Sequence, residues 1–139
     1  MTLLTQRGEE WICGLINGVI VTGAHYLGWG TGAGTADKAD LDVFSPAPEL
    51  RAQTTRSQPF PNRIRWSGTM YATAPRIITN VGVFSSAGIT FPPVPLIMHG
   101  DHVPVSLAAG DGINYQVELE IVGADDTTIV VGDMIIPGG

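Results

Sequence analysis

Four glycines at alternate positions, in Tyr26-Leu27-Gly28-Trp29-Gly30-Thr31-Gly32-Ala33-Gly34, are the first residues of this 139-residue chain whose spacing suggests chemistry. A glycine-rich loop can cradle a phosphate on its backbone N–H groups when a helix opens behind it. Gly28, Gly30 and Ala33 have the spacing of a dinucleotide loop, yet Gly34-Thr35-Ala36-Asp37-Lys38-Ala39-Asp40 follows with no amphipathic period. A Gly-x-x-x-x-Gly-Lys-Ser/Thr string does not occur. The run therefore reads as a strand-to-loop corner whose small residues admit another backbone or an aromatic ring.

The remaining reactive residue types are sparse. His99-x-x-His102, with Asp101 between and His25 elsewhere, lacks the ligand spacing of a zinc site, and all three histidines read as solvated turn residues. Asp101, His102 and Ser106 supply the types of a hydrolase triad, but no Gly-x-Ser-x-Gly elbow accompanies them. Asp37, Asp40 and Asp42 lack the Asp-x-Asp-x-Asp-Gly spacing of a calcium loop. Cys13, the single cysteine, excludes an intrachain disulfide and reads as a small buried apolar residue beside Trp11, Ile12 and Leu15. No catalytic residue, metal or cofactor is expected, and the chain is not read as an enzyme.

The elements that would position these residues are mostly strands. Ile12, Leu15, Ile16, Val19 and Ile20 form one helical stripe, Glu9 and Glu10 suit its first turn, and Gly18 can stop it. A short helix is expected over 8–18. His25–Trp29 is expected as a strand, 33–48 as a loop with a short edge strand at Asp42–Phe44, and Glu49–Ser57 as a polar strand ended by Pro59 and Pro61. Ile64, Trp66, Gly68, Met70 and Ala72 alternate with polar residues. After Ala74-Pro75, Arg76–Phe84 follows as a β-branched run buried more evenly. Ser85–Gly88 reads as a turn, Leu96–His99 as a strand ended by Gly100-Asp101, and Gly110-Asp111-Gly112 as the turn before the alternating strand Ile113–Ile121. Thr127–Val131 is expected as a last strand. This pattern describes a mainly β single domain over 1–139, an antiparallel β-sandwich or barrel of jelly-roll-like type, with one short N-terminal helix and extended segments at Met1–Arg7 and Gly132–Gly139.

Charge narrows the partners. Only 14% of residues are charged and the net charge is −6, which argues against a nucleic-acid face and for neutral surface covered by neighbouring subunits. Arg51, Arg56, Arg63, Arg65 and Arg76 share a stretch free of acidic residues, whereas most carboxylates lie before Val43 or after Gly100. That bipolar layout suits contact between copies. Arg51, Arg56, Arg63 and Arg65 are candidate interface residues on that ground, and Trp29 and Trp66 are candidate core or interface anchors. The run Trp11–Val21 is too short and glycine-interrupted to span a bilayer, and Gln6–Glu10 ahead of it is no leader sequence.

Read in order, Tyr26–Gly32, Glu49-Leu50-Arg51, Ser67-Gly68-Thr69, Ile77–Phe84 and Gly110-Asp111-Gly112 resemble small virion structural proteins of tailed bacteriophages. These are the head decoration or cement type and related tail or fibre proteins. Asn80 stands where such proteins often carry Glu, and Pro92–Pro95 is particular to this chain. The resemblance implies a β-sandwich, commonly a homotrimer, that binds the major capsid protein on the outside of the virion after synthesis in the host cytoplasm. A tail or fibre-associated structural protein is the first alternative. A carbohydrate-binding sandwich using Trp29, Trp66 or Tyr71 is the second.

Overall fold

Alternation over 63–72 builds one long strand with a core face. In the computed structural model, which describes residues 1–18, 23–87 and 96–122, this strand is Arg63–Tyr71, and Trp66 and Met70 on it are buried. The chain-order elements are β1 (Thr2–Leu4), α1 (Gln6–Ile16), β2 (Tyr26–Gly30), β3 (Ala52–Gln53), β4 (Thr55–Phe60), β5 (Arg63–Tyr71), β6 (Arg76–Phe84), β7 (Leu96–Leu107) and β8 (Gly112–Glu120). They form two antiparallel sheets, β1-β7-β6-β2-β3 and β4-β5-β8. The fold is a sandwich of two open sheets, not a closed barrel. Leu27, Trp29, Ile78, Val81, Val83 and Met98 of the larger sheet join Trp66, Met70, Tyr115 and Val117 of the smaller in one apolar core.

The helix begins earlier than its acidic pair suggests, because Thr5 caps it. The Thr5 hydroxyl accepts the Gly8 N–H at 3.0 Å and donates to the Leu96 carbonyl, so the cap also ties the helix to β7. Gly8 faces that strand so closely that a Cβ there would lie 2.2 Å from the Ile97 carbonyl oxygen. At the other end Gly18, with φ of +74°, stops the helix as expected. Residues 2–7 are therefore strand, cap and first helical turn, not an extended arm. Cys13 faces solvent, because the stripe of Ile12, Leu15 and Ile16 is turned to the end of the sandwich and not into its core.

Two other expectations change. Gly100-Asp101 does not end a strand: β7 runs through it, and Gly100 is small because Thr2 of β1 lies against it. The register slips between Ile78–Val105 and Asn80–Asp101, so His102, Val103 and Pro104 share a bulge where proline loses no ladder bond. Asp42–Phe44 forms no strand. Instead Phe44–Ala47 straps the edge of β2 through Thr31 N–H to Ser45 O, Gly32 N–H to Phe44 O and Ala47 N–H to Trp29 O. The loop covers the outer face of the five-stranded sheet, where Val43, Phe84 and Leu96 make a second apolar cluster. This is why β6 is buried on both faces over its second half. The expected strand Thr127–Val131, the segment Gly132–Gly139 and the prolines 92, 93 and 95 lie outside the described residues.

Candidate functional site

The glycine corner works as a packing device. A Cβ on Gly30 would stand 2.1 Å from the Phe44 carbonyl oxygen, and one on Gly34 2.9 Å from the Phe44 ring. Gly28 meets the Phe84 ring in the same way. The backbone N–H of Gly32 is spent on the strap, so it cannot turn toward a phosphate. Asn80 completes the fastening: its Oδ1 accepts the Phe44 N–H at 2.8 Å and its Nδ2 donates to the Phe44 carbonyl at 3.2 Å.

The histidines are not solvated turn residues. His99 is buried, with Nδ1 at 2.6 Å from Asp40 Oδ2 and Nε2 at 3.0 Å from Asn80 Oδ1. His102 donates from Nδ1 to the Val103 carbonyl at 2.8 Å and accepts the Tyr115 hydroxyl at 2.9 Å, and burial raises the pKa of that hydroxyl. His99 and His102 thus have separate partners. Asp101 accepts the Ala36 N–H at 2.8 Å, which holds its carboxyl below the ordinary range despite partial burial, and neither Ser106 nor His102 is its partner. Asp37, Asp40 and Asp42 each accept a nearby backbone N–H, from Ala39, Asp37 and Val43.

The arginines dissolve the bipolar layout. Arg63 and Arg65 lie across from Glu120 and Glu118 in the β5–β8 register and pair with them at 3.2 and 2.6 Å. Strand pairing brings together charges that the sequence keeps apart, so these two arginines are engaged within the chain. Arg51 stacks 3.5 Å over the Phe84 ring and donates to the Ser86 carbonyl. Trp29 and Trp66, at 1% exposure each, belong to the core and offer no surface to a partner or a sugar.

A polar node that the sequence reading missed sits behind Trp29. Glu49 accepts the Trp29 indole N–H at 2.9 Å, the Thr73 hydroxyl at 2.7 Å and the Arg76 guanidinium at 2.8 Å. Burial acts to raise its pKa, but the three donors outweigh that and hold it below the usual value. A signal existed: Glu49 is the only carboxylate between Asp42 and Asp101, just ahead of five arginines.

The surface that remains chemically unusual is the helix end of the sandwich. Trp11, Ile12, Leu15 and Ile16 of α1 stand over Ile64, Leu119 and Ile121 and enclose a groove of about 300 Å³. His25 and Trp66 belong to its wall, with Arg56 beside them. The pairing of Arg56 with Trp66 in the β4–β5 ladder places both on the inward face of the sheet. His25 accepts the Trp66 indole N–H on Nδ1 at 2.8 Å, and its buried Nε2 has no hydrogen-bond partner. Burial first, and the Arg56 charge second, lower its pKa to about 4, so the ring is neutral at pH 7 and carries its proton on Nε2. Compared with known protein families, curated proteins and solved structures, the chain matches none of them.

Proposed function

We propose that this chain is a structural subunit that decorates the outer surface of a bacteriophage capsid, acting by contact with the major capsid protein and with copies of itself. The observation that carries the reading is the apolar surface left in solvent. Ile16 and Leu50 are 83% exposed and Val103 82%, on the helix, the long loop and the β7 bulge respectively. Large aliphatic side chains left in solvent offer apolar area that a partner can cover. Covering each contributes about 1.5–3 kcal/mol, and a multivalent lattice multiplies the effect. Self-neutralised charge on the smaller sheet fits the same picture, since Arg63, Arg65, Glu118 and Glu120 need no counterion from a neighbour.

The carbohydrate-binding alternative loses Trp29 and Trp66 to the core and keeps only exposed Tyr71. The test is sedimentation of the purified protein with expanded phage heads and, separately, with tails. Binding to heads that is lost in an Ile16→Asp, Leu50→Asp, Val103→Asp triple variant is expected, with an unchanged circular dichroism spectrum. Binding to tails alone would move the protein to the tail. Equal binding by the triple variant, or none by either protein, would remove the reading. A native mass measurement is expected to give a homotrimer.

A further inference from the structure

We propose that His99 is a proton switch: held as an imidazolium, it fastens the loop 36–47 on the outer face of the five-stranded sheet, and loss of its second proton lets that loop open. The inference does not depend on the capsid reading. Its first ground is a count of donors. The Phe44 peptide fixes the Asn80 amide, because its N–H is 2.8 Å from one amide atom and its carbonyl 3.2 Å from the other, which makes these Oδ1 and Nδ2 respectively. His99 Nε2 stands 3.0 Å from that Oδ1, an acceptor, so it carries a proton. His99 Nδ1 stands 2.6 Å from Asp40 Oδ2, which also accepts the Asp37 N–H at 2.7 Å and is therefore a carboxylate oxygen. Nδ1 carries a proton too. A neutral ring would press a lone pair against one of these two acceptors, at a side chain with no exposure to water.

The second ground is that Asn80 has two settings. With His99 charged, its Oδ1 serves both the ring and the Phe44 N–H. With the ring neutral and Nδ1–H kept by Asp40, Nε2 becomes an acceptor, and only a flipped Asn80 amide can donate to it. The flip sets Nδ2 against the Phe44 N–H and Oδ1 against the Phe44 carbonyl, which undoes both fastenings. A charge change at His99 thus biases a two-state side chain that grips the loop. The third ground is the surrounding charge. Asp40 is the counter-ion; Asp101, two residues along β7, is engaged by the Ala36 N–H and the chain-start ammonium. Asp37 and Asp42 of the loop accept the Ala39 and Val43 N–H groups, and Lys38 pairs with Glu9 of α1. From β1 and β6 the register sets Leu3 and Gly82 beside His99, and the Phe44 ring meets the imidazole edge to face at 4.7 Å. Opening the loop uncovers the Val43, Phe84 and Leu96 cluster, so the proton controls apolar surface.

Nuclear magnetic resonance of the unaltered, nitrogen-labelled protein, taken from about pH 5 to about pH 9, follows ring and loop together. At the acid end both ring nitrogens of His99 are expected to carry protons, with the Phe44 amide hydrogen-bonded. As pH rises the ring is expected to lose one proton, and the Phe44 backbone and Asn80 side-chain amide signals to shift in the same step. A dye that brightens on apolar surface is expected to gain fluorescence over that step, as Val43, Phe84 and Leu96 reach solvent. Asp40→Asn removes the counter-charge and is expected to move the step to lower pH. A purely structural His99 would give loop signals indifferent to its protonation. A ring with one proton at the acid end, loop signals that do not follow the ring, no step between these limits, or a step unmoved in Asp40→Asn would each overturn the proposal.

Discussion

Removing the Glu49 carboxylate is expected to cost more than any single contact on the surface of this protein. In Glu49→Ala the Trp29 indole N–H is left unpaired in the core, a loss of about 1–3 kcal/mol. Arg76, whose side chain keeps 21% of its exposure, loses a charged partner and recovers part of its solvation from water. A total of about 3–5 kcal/mol follows, the range for breaking a largely buried ion pair. Against a domain stability of about 5–15 kcal/mol, that places the variant near the edge of folding. Urea unfolding followed by tryptophan fluorescence reads it directly, with the slope unchanged. Glu49→Gln, which keeps the shape and one acceptor oxygen, is expected to lose about half as much. Because the folded carboxyl titrates below the unfolded value of about 4.5, its stabilisation is complete above that pH and disappears as pH falls through the folded value. The gap between wild type and Glu49→Gln should accordingly close in acid. A loss under about 1 kcal/mol in Glu49→Ala at neutral pH, or a gap that stays constant in acid, would refute the account of the node.

Gly30→Ala is expected to destabilise by about 3 kcal/mol through overpacking against the Phe44 carbonyl, whereas Gly23→Ala, where a Cβ meets nothing within 4 Å, should stay within about 0.5 kcal/mol; urea midpoints separate them. His25, held neutral down to about pH 4, is expected to make stability fall by up to about 3 kcal/mol as pH drops from about 6.5 to about 4, since only the unfolded chain takes up the proton there. That decline should flatten in His25→Gln when urea midpoints are compared across the same pH range. Exposed Cys13 is expected to react with a thiol reagent in the native protein at nearly the rate seen in urea, as measured by absorbance of the released chromophore.

What the sequence made legible was what depends on neighbours along the chain. The two-residue period at Trp66 and Met70, and again at Tyr115 and Val117, located β5 and β8 with their inward faces. Gly18 marked the helix end, and the alternating glycines marked close packing. What stayed hidden depends on the third dimension. Thr5 caps a helix, but its tie to β7 joins residues 91 apart in the chain. Gly100-Asp101 has the composition of a turn, and only the arrival of β1 beside Gly100 turns it into strand interior. The histidines carry no local mark of burial, because Trp66, Asp40 and Asn80 reach them from distant segments. The groove combines both cases: the stripe on α1 was visible, but its direction was not.

The strand order of the smaller sheet has a consequence in time. β5 pairs with β8 along its full length, and β8 begins only after β6 and β7 have intervened. Pairing across such separations makes β-sandwiches fold in milliseconds to seconds, slowly for their size. On the ribosome, at about 5–20 residues per second, the stretch from Tyr71 to Glu120 takes roughly 2–10 s to emerge. Throughout most of that interval β8 is missing from the smaller sheet, and β4 is the only strand neighbour β5 can find. Synthesis rate and chaperone access thus bear on the yield of native protein alongside its final stability.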